Sequence, residues 1–225
     1  LLISLAAVSF FLLRHPLKLA MAGAGGLFES PRRRLALAFA VGYASLGIIA
    51  GALGILLSGP RPLIPFALGS PLVLVFLVFD AQKRSRAFVA EVLAPLGLAL
   101  TAPAVAVCAG WSLDESAMLW ALLAARAVPS IFYVRAVLRR LRGERVRRSA
   151  VVAMHLLVAA VGGELAVLAI IPFLAASGLL ALAVRAATGL LGPVRSMRAT
   201  RVGIMEIVYG LVFVGLAVAG YRLGV

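Results

Sequence analysis

Residues 35–58 read LALAFAVGYASLGIIAGALGILLS, twenty-four residues without a charged side chain, directly after Arg32-Arg33-Arg34. A helix needs about 20 apolar residues to cross the hydrocarbon core of a bilayer, so this stretch alone predicts a transmembrane helix. Seven further apolar stretches lie outside it, at 1–13, 62–79, 87–109, 117–134, 150–163, 165–184 and 203–221. The chain is 64% apolar and 13% charged, with a mean hydropathy of +1.11. Soluble domains lie near 45–50% apolar and about 25% charged, so lipid must be the solvent for most of this one. The expectation is an all-α polytopic transmembrane bundle of about eight spans, forming a single domain over 1–225.

Two stretches resist simple reading. The first has only 13 residues and begins inside an apolar run, so a missing upstream segment is expected to complete it. The apolar run 150–184 is broken by Gly162, Gly163 and Glu164. A tight helical hairpin turning at the two glycines fits it, with a re-entrant segment as the open alternative.

Basic residues number 22 against eight acidic ones, for a net charge of +14. In a soluble chain this would suggest nucleic acid. Here 19 of the 22 fall on alternate connections, which under the positive-inside rule are cytoplasmic and leave no role for nucleic acid. The run 135–148, RAVLRRLRGERVRR, suits anionic lipid headgroups as partners. The acidic loop WSLDES, 111–116, lies on the opposite side, with Trp111 and Trp120 expected at headgroup level. Twenty arginines against two lysines, with abundant Ala and Gly, suggest high-GC coding and a bacterial cytoplasmic membrane.

Helix irregularities are marked as well. Pro95, Pro103 and Pro129 free the carbonyls of Glu91, Ala99 and Ala125. Gly47 and Gly51 form a GxxxG, continued by Gly54, which suits close helix packing within the chain.

Chemistry-bearing motifs are scarce. The single Cys108 and two histidines exclude a disulfide framework and give no metal, haem or copper spacing. No H-E-x-x-H or nucleophile elbow occurs, and Gly23–Gly26 lacks the Lys-Ser/Thr of a phosphate loop. No catalytic residue is assigned. What remains are ionisable groups in or beside apolar stretches, costing roughly 2.5–3.5 kcal/mol each on insertion scales. They are Arg14, His15, Lys18, Asp80, Lys83, Arg84, Glu91, Arg126, Arg135, His155 and Glu206. Arg126 lies near mid-bilayer, with Glu91 and the carbonyls freed by Pro129 as candidate partners. Nearly all of the others lie toward the cytoplasmic side, which predicts an inward-facing polar cluster.

Several landmarks resemble the YwiC-like family of bacterial membrane proteins. They are Arg14-His15-Pro16-Leu17, Phe79-Asp80 with Lys83-Arg84-Ser85-Arg86, Pro129 with Tyr133-Val134-Arg135, and Arg201-Val202-Gly203 with Glu206. The resemblance runs over essentially the whole chain and implies a His- and Gly-containing segment upstream of Leu1. It implies no reaction. A more distant likeness is to the UbiA-type prenyltransferases, with nine spans and cytoplasmic active-site loops. Their NDxxDxxxD and DxxxD loops are absent, since the corresponding loops here hold only Glu29 and Glu144. Carboxylates bridge diphosphate through Mg²⁺, so Mg²⁺-dependent prenyl transfer is not expected and the cofactor stays open. The leading expectation is a lipid- or isoprenoid-binding protein, with Glu91, His155 and Glu206 as acid–base candidates. A small-solute or proton-coupled transporter and a non-catalytic docking subunit are the alternatives.

Overall fold

The computed structural model describes residues 1–22, 31–82, 84, 87–193 and 197–225. Among them the regular structure is all helical: α1 (Leu2–Ala22), α2 (Pro31–Ser58), α3 (Leu63–Ala81), α4 (Phe88–Ala99), α5 (Thr101–Cys108), α6 (Leu113–Leu141), α7 (Arg148–Val167), α8 (Phe173–Leu191) and α9 (Ala199–Leu223). Because α4 and α5 follow one another as Phe88–Cys108, these make eight segments long and apolar enough to cross a membrane. The protein is a multi-pass membrane protein. Its helices fall into two compact units, Leu1–Trp120 and Ala121–Val225.

In the first unit α1 is a full-length span, not the 13-residue stub that its sequence suggests. The helix continues through Arg14, Pro16 and Lys18 to Ala22, because Asp80 pairs with both cations and removes the reason to leave the apolar phase. The glycines of α2 serve α1. A methyl on Gly47 would lie 3.1 Å from the Phe10 ring, and one on Gly54 would lie 2.8 Å from Ile3 Cδ1. The GxxxG therefore packs helices of this chain, as expected.

The two prolines of the fourth span do not merely bend it. The helix breaks at Leu100, whose N–H turns to the Gly97 carbonyl at 3.3 Å. That releases the carbonyl of Leu96, and the Trp120 indole Nε1 donates to it at 3.1 Å. Trp120 is thus half-buried and supplies the partner that a freed carbonyl requires in lipid. The acidic segment before α6 is a capping box. Ser112 Oγ accepts from the Glu115 N–H at 3.1 Å, and Glu115 Oε2 accepts from the Ser112 N–H at 2.8 Å, an arrangement contributing about 1 kcal/mol.

In the second unit the run 150–184 forms two helices, but their turn lies at 168–172. Gly162 is buried inside α7, facing Leu179 of α8, so its missing side chain serves packing. The chain turns where Ala169 takes a left-handed φ of 55° and Pro172 precludes continuation. The consequence is that α8 extends to Leu191 and takes Arg185 inside it, although the charge pattern places that arginine in a loop. Helix α8 is the centre of this unit, with half of its span buried against 17% for α9.

Between α6 and α7, Glu144 accepts from Arg139 Nε and Arg142 Nε, each at 2.7 Å. These two bonds, Arg139's first, hold its carboxyl below the usual carboxylate range. A lowered folded-state pKa means the contribution exists above the unfolded value and is lost as pH falls through the folded one. Since the group is solvent-exposed, Glu144→Gln should leave the neutral-pH melting temperature unchanged. A drop of several degrees would show that this turn matters to the fold.

Candidate functional site

Within the unit Ala121–Val225, four helices bring polar groups to a common level. Arg185 lies six residues before the end of α8 and Tyr133 eight before the end of α6, while His155 and Glu206 each lie seven after the start of α7 and α9. At 1.5 Å per residue all four lie about 9–12 Å in from the Arg-rich helix ends.

Arg185 is the hub. It is only 5% exposed, and its Nη1 donates to Glu206 Oε1 at 2.5 Å. The guanidinium packs against two rings, 4.2 Å from the Tyr133 centroid and 4.8 Å from that of Tyr209. Such cation–π contacts strengthen when desolvated. Its Nε and Nη2 are buried without a hydrogen-bond partner.

Arg126 approaches the same carboxylate-bearing residue from α6, donating from Nη2 to the Glu206 carbonyl at 3.3 Å. Gly210 makes this possible, because a side chain there would collide with Arg126 Nη2. This partner, a backbone carbonyl of α9, is not among the candidates that the sequence offered for Arg126. Arg126 Nε is also buried and unpartnered. His155 is buried, its Nδ1 at 2.8 Å from the Val151 carbonyl and its ring edge-on to Tyr133. A carbonyl only accepts, so Nδ1 carries the proton in that bond. Its Nε2 has no partner. Unsatisfied buried donors cost about 1–3 kcal/mol each, more when charged. The group thus combines two guanidiniums, one carboxylate and unused hydrogen-bonding capacity.

Within the unit Leu1–Trp120 the arrangement is chemically similar. Asp80, at the end of α3, is only 4% exposed. It is bonded by Lys18 Nζ and lies 3.6 Å from Arg14 Nε. Arg14 also covers the rings of Phe76, at 4.9 Å, and Phe11, at 5.7 Å. It closes one end of an apolar cavity of about 440 Å³ whose wall includes Ile3, Phe10, Phe66 and Leu93. Among the described residues no other ionisable side chain lines that cavity.

The remaining candidates lie on several elements. His15 belongs to α1, not to a loop, and is exposed. Arg84 is exposed after α3, while Glu91 and Arg135 are half-buried in α4 and α6. Lys83 lies outside the described residues, as do Glu29 and Gly23–Gly26. Arg185, Tyr133 and Tyr209 are the members of this group that the charge pattern does not place in it. A helical-register reading finds the first: Arg185 follows Gly178 by seven and Leu182 by three and precedes Gly189 by four, all on one face.

Among protein-family models, that of the YwiC-like proteins matches residues 1–106. The landmarks at Arg14–Leu17 and Phe79–Asp80 fall inside this match, whereas those at Pro129 and beyond lie outside it. No curated protein and no solved structure matches the chain.

Proposed function

We propose that this YwiC-like membrane protein binds an amphiphile with an anionic headgroup, its chain held in the cavity of the unit Leu1–Trp120. The observation that carries this reading is the pairing of an apolar cavity with a single cation at its end. From Ile3 to Arg14 the α1 wall runs about 16 Å along the helix axis, long enough for a lipid or isoprenoid tail. A volume of about 440 Å³ is that of an ordinary ligand pocket. Charge favours an anion at the head, because Arg14 and Lys18 share one carboxylate, Asp80. The lining residues all fall between 3 and 101, inside the stretch that matches the family.

Lipids extracted from the purified protein and identified by mass spectrometry test this. Wild type should retain an anionic species selectively over zwitterionic ones. Arg14→Ala removes a charge-assisted contact of about 1.5–3 kcal/mol and should weaken retention roughly tenfold or more. Ala94→Trp, filling the cavity from α4, should abolish it. Equal retention by all three proteins would remove the proposal.

A further inference from the structure

We propose that the unit Ala121–Val225 contains a second, separate binding site, for a phosphate-type oxyanion, built on Arg185 and Arg140. The two residues line a cavity of about 250 Å³ together with Tyr133, Tyr209, Thr188 and Met205.

The hydrogen-bond pattern of Arg185 specifies the ligand. Its end-on nitrogen, Nη1, is committed to Glu206, while the two buried donors without a partner are Nε and Nη2. Those two N–H groups lie along one edge of the guanidinium and point in parallel. That edge is the fork which two oxygens of a phosphate or carboxylate engage together. The Tyr133 and Tyr209 rings packed against the Arg185 guanidinium restrain it, so its orientation is restricted before any ligand arrives. The residue is only 5% exposed, so bulk water does not satisfy this edge.

Charge points the same way. Glu206 is the carboxylate that Arg185 bonds, and Arg126 bears on the same residue, which leaves the cluster in positive excess. At the cavity rim Arg140 donates to the carbonyls of Gly189, Leu190 and Gly192, at 3.2, 3.1 and 2.7 Å. These are terminal carbonyls of α8, the partially negative end of its dipole. Arg140 offsets that end and keeps it from repelling an anion. Arg185 and Arg140 lie near the Arg-rich helix ends, so a free phosphate compound and a lipid phosphate headgroup both have access to this chemistry.

Calorimetric titration of the full chain with inorganic phosphate, in neutral detergent, tests the site. A second arm compares nanodiscs of phosphatidylcholine with and without phosphatidic acid, read by thermal stabilisation. Wild type should bind the oxyanion in at least one arm; the phosphate arm alone identifies a soluble ligand and the phosphatidic acid arm alone a headgroup. Arg140→Gln should weaken binding at least tenfold, and the double variant Arg185→Met with Glu206→Leu, which removes the ion pair as a unit, should abolish it. Should the double variant fail to fold, Tyr209→Leu replaces it with an expected tenfold loss. No response in either arm, or equal affinity in wild type and Arg140→Gln, overturns the proposal.

Discussion

Glu206→Leu should be the most destabilising single substitution at the polar cluster, lowering stability by about 3–5 kcal/mol. The Arg185 side chain is 4% exposed and that of Glu206 18%, so the arginine left behind is not rescued by water at the surface. Without the carboxylate, Arg185 keeps its charge, since a guanidinium does not deprotonate in proteins, and Arg126 still bears on the same site. Removing both partners is a different matter. A buried pair replaced by apolar groups of similar volume is often neutral, so Arg185→Met combined with Glu206→Leu should recover most of the loss. Chemical or thermal unfolding in detergent, arranged as a double-mutant cycle, gives the coupling directly. If Glu206→Leu unfolds like wild type, the pair does not hold α8 to α9. Asp80→Leu should cost less, because its partners Arg14 and Lys18 are 34% and 42% exposed and can hydrate on their own.

The second large effect is expected at Gly178, where α8 meets α9. A methyl there would fall 2.9 Å from Cδ2 of Phe213, a ring that is only 1% exposed and has nowhere to move. Gly178→Leu should therefore cost about 1–3 kcal/mol or more through overpacking. It should also weaken the Arg185–Glu206 pair, which spans the same two helices one heptad further along α8. Gly163→Leu is the control. Nothing lies within 4 Å of a methyl at that position, and a helix interior prefers leucine to glycine by up to about 1 kcal/mol. Were the chain to turn at Gly162-Gly163, as the apolar pattern suggests, Gly163→Leu would be the harmful one. Relative unfolding midpoints of the two variants decide between these arrangements.

The misread turn and the missed hub have one cause. Glycines and charges were both legible as symbols, but each has two uses in a membrane protein. Gly162 breaks nothing, because Leu179 fills the space where its side chain would be. The turn is instead made by the left-handed Ala169 with Pro172 three residues beyond it as the N-cap of α8, whereas Pro16 and Pro129 are carried inside their helices. Placing the turn about seven residues too early puts Arg185 in a loop, where an arginine needs no explanation. Similarly, Arg14 and Lys18 end the first apolar run on paper, yet Asp80 from α3 lets α1 carry them. Of the polar residues singled out by depth alone, Arg126 and Glu206 do meet, and so do Asp80, Arg14 and Lys18. The tyrosines that complete the second unit's site carry no charge and leave no trace in a charge count.

By itself the amino-acid order determined the all-helical, multi-pass membrane class and the eight apolar segments found among the described residues. The reason is that hydrocarbon gives the backbone no partner, so about twenty apolar residues can only become a helix. Which ionisable groups share a carboxylate, which side chain satisfies a freed carbonyl, and which edge of Arg185 is left vacant were decided only in three dimensions. Those outcomes depend on contacts between residues as far apart as Lys18 and Asp80 or Arg126 and Glu206. Their chain separation encodes nothing about distance until the helices have packed.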